Sequence, residues 1–135
     1  ALAAQHKVTL QRVTGFPAEL TLLVDADKIR QVLQNLLSNA VKYSKENSVV
    51  EIAAVVDDKQ GIIFSVKDTG LGIPVTQQPR MFEKFFRADN VQTKETDGTG
   101  LGLYIAKAIV EGHGGKIWFE SKENVGTTFY FSLPK

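Results

Sequence analysis

Between residues 26 and 43, apolar side chains recur at Ile29, Val32, Leu33, Leu36, Leu37, Ala40 and Val41. This spacing lays one stripe along an α-helix. Asp25 or Asp27 stands where that helix needs an oxygen to accept from its first backbone N–H groups. Elsewhere the period is two. Residues 8–13 and 20–24 read as short strands separated by Gly15 and Pro17. Residues 49–56 and 62–67 read as a hairpin around Asp57-Asp58-Lys59-Gln60-Gly61, and 116–121 with 127–133 as a last strand pair. Helical spacing returns at 76–87 through Met81, Phe82, Phe85 and Phe86, with Pro79 tolerated near the start. It returns again at 101–111, closed by Gly112, Gly114 and Gly115. Residues 88–99 are polar, unpatterned and longer than an ordinary connection, the profile of a lid.

The order is strand pair, helix, strand pair, helices, strand pair. It predicts an α/β (α+β) two-layer sandwich: a mixed, mostly antiparallel sheet with helices packed on one face. A doubly wound parallel sheet would need strict alternation of strand and helix, which is missing.

Composition narrows the function classes. With 135 residues, 43% hydrophobic and 23% charged, the chain suits one globular domain spanning 1–135. It begins Ala1-Leu2-Ala3-Ala4 without a signal-peptide pattern, so it reads as a piece of something longer, with residues 1–7 as the end of a linker. Cys is absent, which removes disulfides, thiolate zinc sites and a cysteine nucleophile, and fits a reducing compartment. The formal charge of +1 is too small for a protein that lives by neutralising nucleic-acid phosphates. No apolar run reaches the ~18 residues of a membrane span, so neither nucleic acid nor membrane contact is expected of this domain.

The first long helix carries a second pattern. Gln31, Asn35, Asn39 and Lys42 form a polar row roughly opposite the apolar stripe. Asn competes with the backbone for hydrogen bonds and is costly inside a helix, and a merely solvated face would recruit Glu, Lys and Gln instead. An amide oxygen at Asn35 is the hard ligand that Mg²⁺ takes beside substrate phosphates, while Asn39 and Lys42 offer donors to those phosphates. Asp68-Thr69-Gly70-Leu71-Gly72 follows a strand; it reads equally as a tight loop or as a carboxylate aimed at an exocyclic amine such as that of adenine. Gly98-Thr99-Gly100-Leu101-Gly102 opens a helix, where backbone N–H groups can hold phosphate. It is not a dinucleotide fingerprint, since Leu103 occupies the third glycine position, and the chain has no P-loop.

Five segments together resemble the catalytic ATP-binding domain of bacterial two-component sensor histidine kinases. Residues 35–43 (Asn-Leu-Leu-Ser-Asn-Ala-Val-Lys-Tyr), 68–74 (Asp-Thr-Gly-Leu-Gly-Ile-Pro), 82–87 (Phe-Glu-Lys-Phe-Phe-Arg), 98–103 (Gly-Thr-Gly-Leu-Gly-Leu) and 126–128 (Gly-Thr-Thr) are similar to its N, G1, F, G2 and G3 boxes, in order and across nearly the whole chain. The resemblance implies the Bergerat ATP-binding fold, also found in gyrase, a heat-shock chaperone and a mismatch-repair protein, with ATP and Mg²⁺ as cofactors.

Carried over residue by residue, the resemblance makes Asn35 the Mg²⁺ ligand, puts Asn39 and Lys42 on phosphate oxygens and packs Tyr43 on the nucleotide. Asp68 reads the adenine amine, Gly70 and Gly72 shape the pocket, and Ile73 lines it. Gly98, Thr99, Gly100, Leu101, Gly102 and Leu103 bring lid backbone to the phosphates. Thr127 joins the pocket from the last box, where a hairpin turn is the plainer reading. Arg87 is similar to an arginine that approaches the γ-phosphate, although a helix-end cation explains it as simply. Phe82 is either core or an anchor for the lid.

The catalytic set is thus Gln31, Asn35, Lys42 and Arg87. At Gln31 the ATP-hydrolysing relatives carry a Glu that acts as base for water; an amide lacks that basicity, which argues for transfer over hydrolysis. Neither His6 nor His113 sits as a phosphoacceptor would. The implied acceptor is a histidine on a separate helical dimerisation domain of the same parent protein, with a response regulator downstream. A cytoplasmic domain is implied, in a parent that can be anchored in the inner membrane. Two other readings stand beside this one: an ATP-hydrolysing conformational clamp, and a non-catalytic interaction module of the same fold.

Overall fold

The computed structural model describes residues 9–12, 25–44, 48–83 and 101–134. Five strands and two helices fill them: β1 (Thr9–Arg12), α1 (Ala26–Tyr43), β2 (Val49–Asp57), β3 (Gly61–Asp68), α2 (Gly102–Gly112), β4 (Ile117–Lys122) and β5 (Gly126–Leu133). The expected strand at 20–24 and the lid at 88–99 lie outside the described residues.

Asp25 caps α1. Its side chain accepts from the backbone N–H of Asp27 at 3.1 Å and of Lys28 at 3.3 Å, taking up donors that the first turn cannot satisfy internally. The apolar stripe does what its spacing predicts: Ile29, Val32, Leu36, Ala40 and Val41 are all buried. The hydroxyl of Ser44 donates to the Ala40 carbonyl as the helix ends.

The sheet runs β1-β2-β3-β5-β4. β1 pairs with β2 in parallel, so α1 lies on the crossover between them; the remaining pairs are antiparallel. The expected β2–β3 hairpin is present, and the Asp57 carboxylate shapes its turn by accepting from the N–H groups of Lys59 and Gln60, each at 2.8 Å. β5 lies between β3 and β4, which brings the end of β3 beside the start of β5, with Asp68 opposite Thr127.

Both helices pack on one face, as the patterning predicts. Val50 and Ala54 of β2, Ile62 and Val66 of β3, and Phe129, Phe131 and Leu133 of β5 are buried in alternation, as period-two strands require when one face meets the core. Val32 and Leu36 of α1 and Ala106 and Val110 of α2 close that core from above. Phe131 is fully buried and stacks on Phe64 with ring centroids 4.8 Å apart. On the opposite face Trp118 and Tyr130, paired across β4 and β5, stack at 5.4 Å.

One element differs from expectation. Of the α-helix predicted at 76–87, residues 84–87 lie outside the described residues, and the described part, 76–83, instead begins with a 3₁₀ turn over Val75–Arg80. Pro79 lies inside it and has no N–H to continue an α ladder; the turn closes through i to i+3 bonds, with Gln77 N–H on the Pro74 carbonyl at 2.9 Å and Met81 N–H on that of Gln78 at 3.2 Å.

Candidate functional site

Asp68 ends β3 and is 8% exposed. One of its carboxylate oxygens, Oδ1, accepts from the Gly70 N–H at 2.9 Å and from the Thr127 N–H at 3.3 Å. The first bond is the turn an Asp forms with the residue two ahead, and the second follows from the β3–β5 register. Burial pushes the carboxyl above its ordinary range, and the two backbone donors pull the other way without cancelling it. Both of those donors meet Oδ1, so the carboxylate keeps acceptor capacity for a ligand amine.

The loop after Asp68 is tied to the β4–β5 hairpin. The Leu71 carbonyl accepts from Asn124 N–H at 2.7 Å, and Ile73, itself buried, donates its N–H to the Ser121 hydroxyl at 2.8 Å. Ser121 also meets the Gly126 carbonyl at 3.1 Å and the Thr127 hydroxyl at 2.7 Å. The Gln78 amide donates to the carbonyls of Ile73 at 3.1 Å and Ser121 at 3.3 Å. Ser121 and Gln78 therefore tie the predicted residues Ile73 and Thr127 together beside Asp68, while Gly70 is held by Asp68 itself. The sequence reading missed both. For Ser121 the signal was a polar residue in step with the inward-facing Ile117 and Phe119; Gln78 left none.

The polar row of α1 forms a second cluster. Gln31 is exposed, whereas Asn35 and Asn39 are half-buried. The Asn35 amide nitrogen donates to the Gly102 carbonyl at 3.2 Å, so the row faces the first turn of α2 and not open solvent alone. The approach is close without being crowded: a Cβ at Gly102 would lie 3.8 Å from the Asn35 Cγ, an ordinary van der Waals contact. At the start of α2, Leu101 occupies the cap position and offers no side-chain acceptor to the first-turn N–H groups, the arrangement that suits an anion. Leu101 and Leu103 are half-buried there. Lys42 and Tyr43 belong to the last turn of α1. Their side chains, like Arg87, Gly98, Thr99 and Gly100, lie outside what is described.

The two clusters border one core, whose buried members include Ile73, Leu36 and Ala106 and against which Leu71 and Leu103 pack. Phe82 is a packing residue of this core: its ring lies 5.8 Å from Phe119 and 6.3 Å from Phe129, with the Lys107 ammonium 5.6 Å from its centroid. His113 caps the far end of α2. A groove of about 620 Å³ lined by Lys107, Glu111, Lys116 and Trp118 shares no residue with the site. Among the described residues, no group of three or more His, Cys, Asp or Glu side chains gathers into a metal cage, and no helix is long and apolar enough to cross a membrane.

Comparison with known proteins bears on this arrangement. The chain is similar to the sensor histidine kinase WalK of Bacillus subtilis (strain 168), 46% identical over 117 residues, covering 86% of this chain and 19% of that protein. It is 41% identical over 116 residues to the sensor protein kinase WalK of Staphylococcus saprophyticus, covering 82% of this chain and 18% of that one. The chain thus spans about a fifth of the length of the curated relatives it matches. Its fold superposes on the catalytic domain of histidine kinase ThkA in a nucleotide-free form, with a TM-score of 0.79 at 35% identity, covering 98% of this chain and 82% of that one. It also superposes on full-length ShkA in complex with AMPPNP, with a TM-score of 0.81 at 30% identity, covering 98% of this chain and 27% of that one. The family described as histidine kinase-, DNA gyrase B-, and HSP90-like ATPase matches residues 24–135. With its mixed sheet, one-sided helices and Asp68 loop, the chain belongs to that ATPase family.

Proposed function

We propose that this chain is the catalytic ATP-binding domain of a sensor histidine kinase. It binds Mg-ATP and presents the γ-phosphate to a histidine on a separate helical dimerisation domain of the parent protein, which then passes the phosphoryl group to a response regulator. On this reading residues 1–135 form one catalytic domain, residues 1–7 end the linker, and the domain works in the cytoplasm.

The observation that carries the proposal is the pairing of two unlike ends around one core. At one end a buried carboxylate is oriented by two backbone N–H groups. At the other, a half-buried asparagine amide meets the start of α2. The first end suits an adenine amine and the second a polyphosphate. Asp68 accepts from the amine while Ile73 and the Gly70–Gly72 loop wall the ring. Asn35, Asn39, Lys42 and the first turn of α2 hold the phosphates, and Tyr43 packs on the nucleotide. Thr127 supports the adenine end through its backbone bond to Asp68.

The residues fit Mg²⁺. The Asn35 nitrogen is committed to Gly102, and the remaining polar atom of that amide is an oxygen, the ligand type the ion prefers. When bound, the ion neutralises phosphate charge. Lys42 and Arg87 add positive charge where it develops, and Asn35 orients, so catalysis rests on positioning and electrostatics. Gln31 is exposed one turn before Asn35 and has no basicity to activate water, which favours transfer over hydrolysis.

The test is calorimetric titration of the chain and of its Asp68→Ala variant with ATP and Mg²⁺, followed by phosphotransfer to a supplied histidine-bearing domain. Binding by the first should exceed binding by the second by about 5- to 150-fold, the range for leaving a buried hydrogen-bonding group unpaired. Equal affinities would remove the adenine assignment. Steady ATP turnover by the chain alone, lost in Asn35→Ala, would favour the hydrolytic clamp instead.

A further inference from the structure

We infer that His113 is a positioning residue for the nucleotide site: its neutral imidazole pins the C-terminal end of α2 to the N-cap of α1 and so fixes where along α1 the first turn of α2 is presented. The inference rests on the reading above, that this first turn faces the phosphates.

Both ring nitrogens are engaged. Nδ1 lies 2.9 Å from the Ile109 carbonyl, one turn back in the same helix, and the Asp25 backbone N–H donates to Nε2 at 3.1 Å. A carbonyl only accepts and an amide N–H only donates, so a single form of the ring satisfies both: neutral, with its hydrogen on Nδ1. The other tautomer, or the imidazolium, would set an N–H against the N–H of Asp25.

The ring is held in place by its surroundings. His113 caps α2, and Gly114, at φ 81°, turns the chain so that its N–H reaches the Glu111 carbonyl and that of Gly115 reaches Val110, each at 3.0 Å. Gly115 lies hard against β5: a Cβ there would sit 1.8 Å from the Ser132 carbonyl oxygen. The C-terminal end of α2 is therefore fixed to the sheet, and His113 ties α1 to that fixed point.

The second tie lies at the opposite end, where Asn35 donates to Gly102. From Asp25 to Asn35 is about 15 Å along α1, and from Gly102 to His113 about 16.5 Å along α2, at 1.5 Å per residue. The two spans agree to within one residue's rise, so α2 is tied to α1 at both of its own ends, once at the α1 N-cap and once midway along α1. Between the pins lie Val32, Ala106 and Val110, all fully buried and apolar. Apolar burial is non-directional and does not by itself select a register. The polar pins do. A slip of one residue moves the first-turn N–H groups by about 1.5 Å, which takes a hydrogen bond out of its useful range.

The prediction separates the phosphate end from the adenine end, because Asp68 is held by β5 and the Ser121 network and not by α2. In ¹⁵N-labelled chain, nitrogen–nitrogen coupling across the hydrogen bond from Asp25 N–H to His113 Nε2 should be detectable. His113→Ala should bind ATP with Mg²⁺ about fivefold more weakly, the loss for one hydrogen bond, with affinity for adenosine unchanged. His113→Gln, whose side-chain oxygen can accept in place of Nε2, should recover most of that loss.

Unchanged ATP affinity in folded His113→Ala, equal losses for ATP and adenosine, or a Gln variant no better than Ala would each overturn the assignment. Wild-type chain that binds neither ligand would overturn the nucleotide reading itself, and the phosphate-end consequence with it. Absence of the coupling with nucleotide binding intact would overturn the pin alone.

Discussion

Gly72→Ala should be among the most damaging single-methyl changes available in this chain. Gly72 is buried at φ 67°, and a Cβ there would lie 2.1 Å from the Lys122 carbonyl oxygen and 2.8 Å from the Glu123 Cα. Neither atom can move freely. Leu71 and Ile73, on either side, are bonded to Asn124 and Ser121 of the same hairpin, so backing the loop away breaks at least one of those bonds. A left-handed conformation costs Ala about 1–2 kcal/mol. Overpacking adds about 1–3 kcal/mol, and a lost hydrogen bond about 1 kcal/mol. The sum is about 3–6 kcal/mol, a large share of the roughly 5–15 kcal/mol by which domains are stable. Urea unfolding followed by the single Trp, which stacks on Tyr130, reads the loss as a shift of midpoint at constant slope. Gly112→Ala is the control: its Cβ meets nothing within 4 Å and its backbone is helical, so it should gain about 0.5–1 kcal/mol. A Gly72→Ala variant within about 1 kcal/mol of wild type would refute the argument from close approach.

Other consequences concern the site and the core. Asp68→Asn should abolish adenine recognition, because a donor then faces the amine, while raising stability at neutral pH, because the amide has no charge for burial to penalise. The folded-state pKa of Asp68 is raised, so the native protein holds a proton that the unfolded chain has lost, and this group's contribution falls as pH rises from its ordinary value of 3.8 through the raised one. The stability difference between variant and wild type should therefore grow across that window and be flat above it; a difference independent of pH would contradict this. Asn35→Ala should cost about 1 kcal/mol of stability through the bond to Gly102, and should weaken ATP binding more in the presence of Mg²⁺ than in its absence, as titrations with and without the ion would show. Phe131→Ala, at a fully buried ring stacked on Phe64, should cost about 3–5 kcal/mol by urea unfolding; a cost below about 1.5 kcal/mol would mean that the core collapses around the gap.

Local physics made much of the fold legible. The stripe from Ile29 to Val41, the Asp25 cap and the period-two strands among the described residues each follow from neighbours in sequence, and each formed as its pattern predicts. The segment after Pro74 did not. Apolar spacing at Met81 and Phe82 implied an α-helix, but the missing N–H of Pro79 left a 3₁₀ turn over the described part. The parallel pairing of β1 with β2 was equally hidden, because strand patterning says which face is buried and not which neighbour supplies the hydrogen bonds.

The site divides along the same line. By itself the sequence determined the polar row of Gln31, Asn35 and Asn39, the carboxylate at a strand end and the glycines beside it, since residue type and local spacing carry those features. Tertiary structure decided what they meet. Insertion of β5 between β3 and β4 put the Thr127 N–H on Asp68, close packing of α1 on α2 turned the Asn35 amide to Gly102, and the end of α2 brought His113 to Asp25, 88 residues away in sequence. Contacts over such separations are set by how layers pack and strands register, and no window of neighbouring residues contains them.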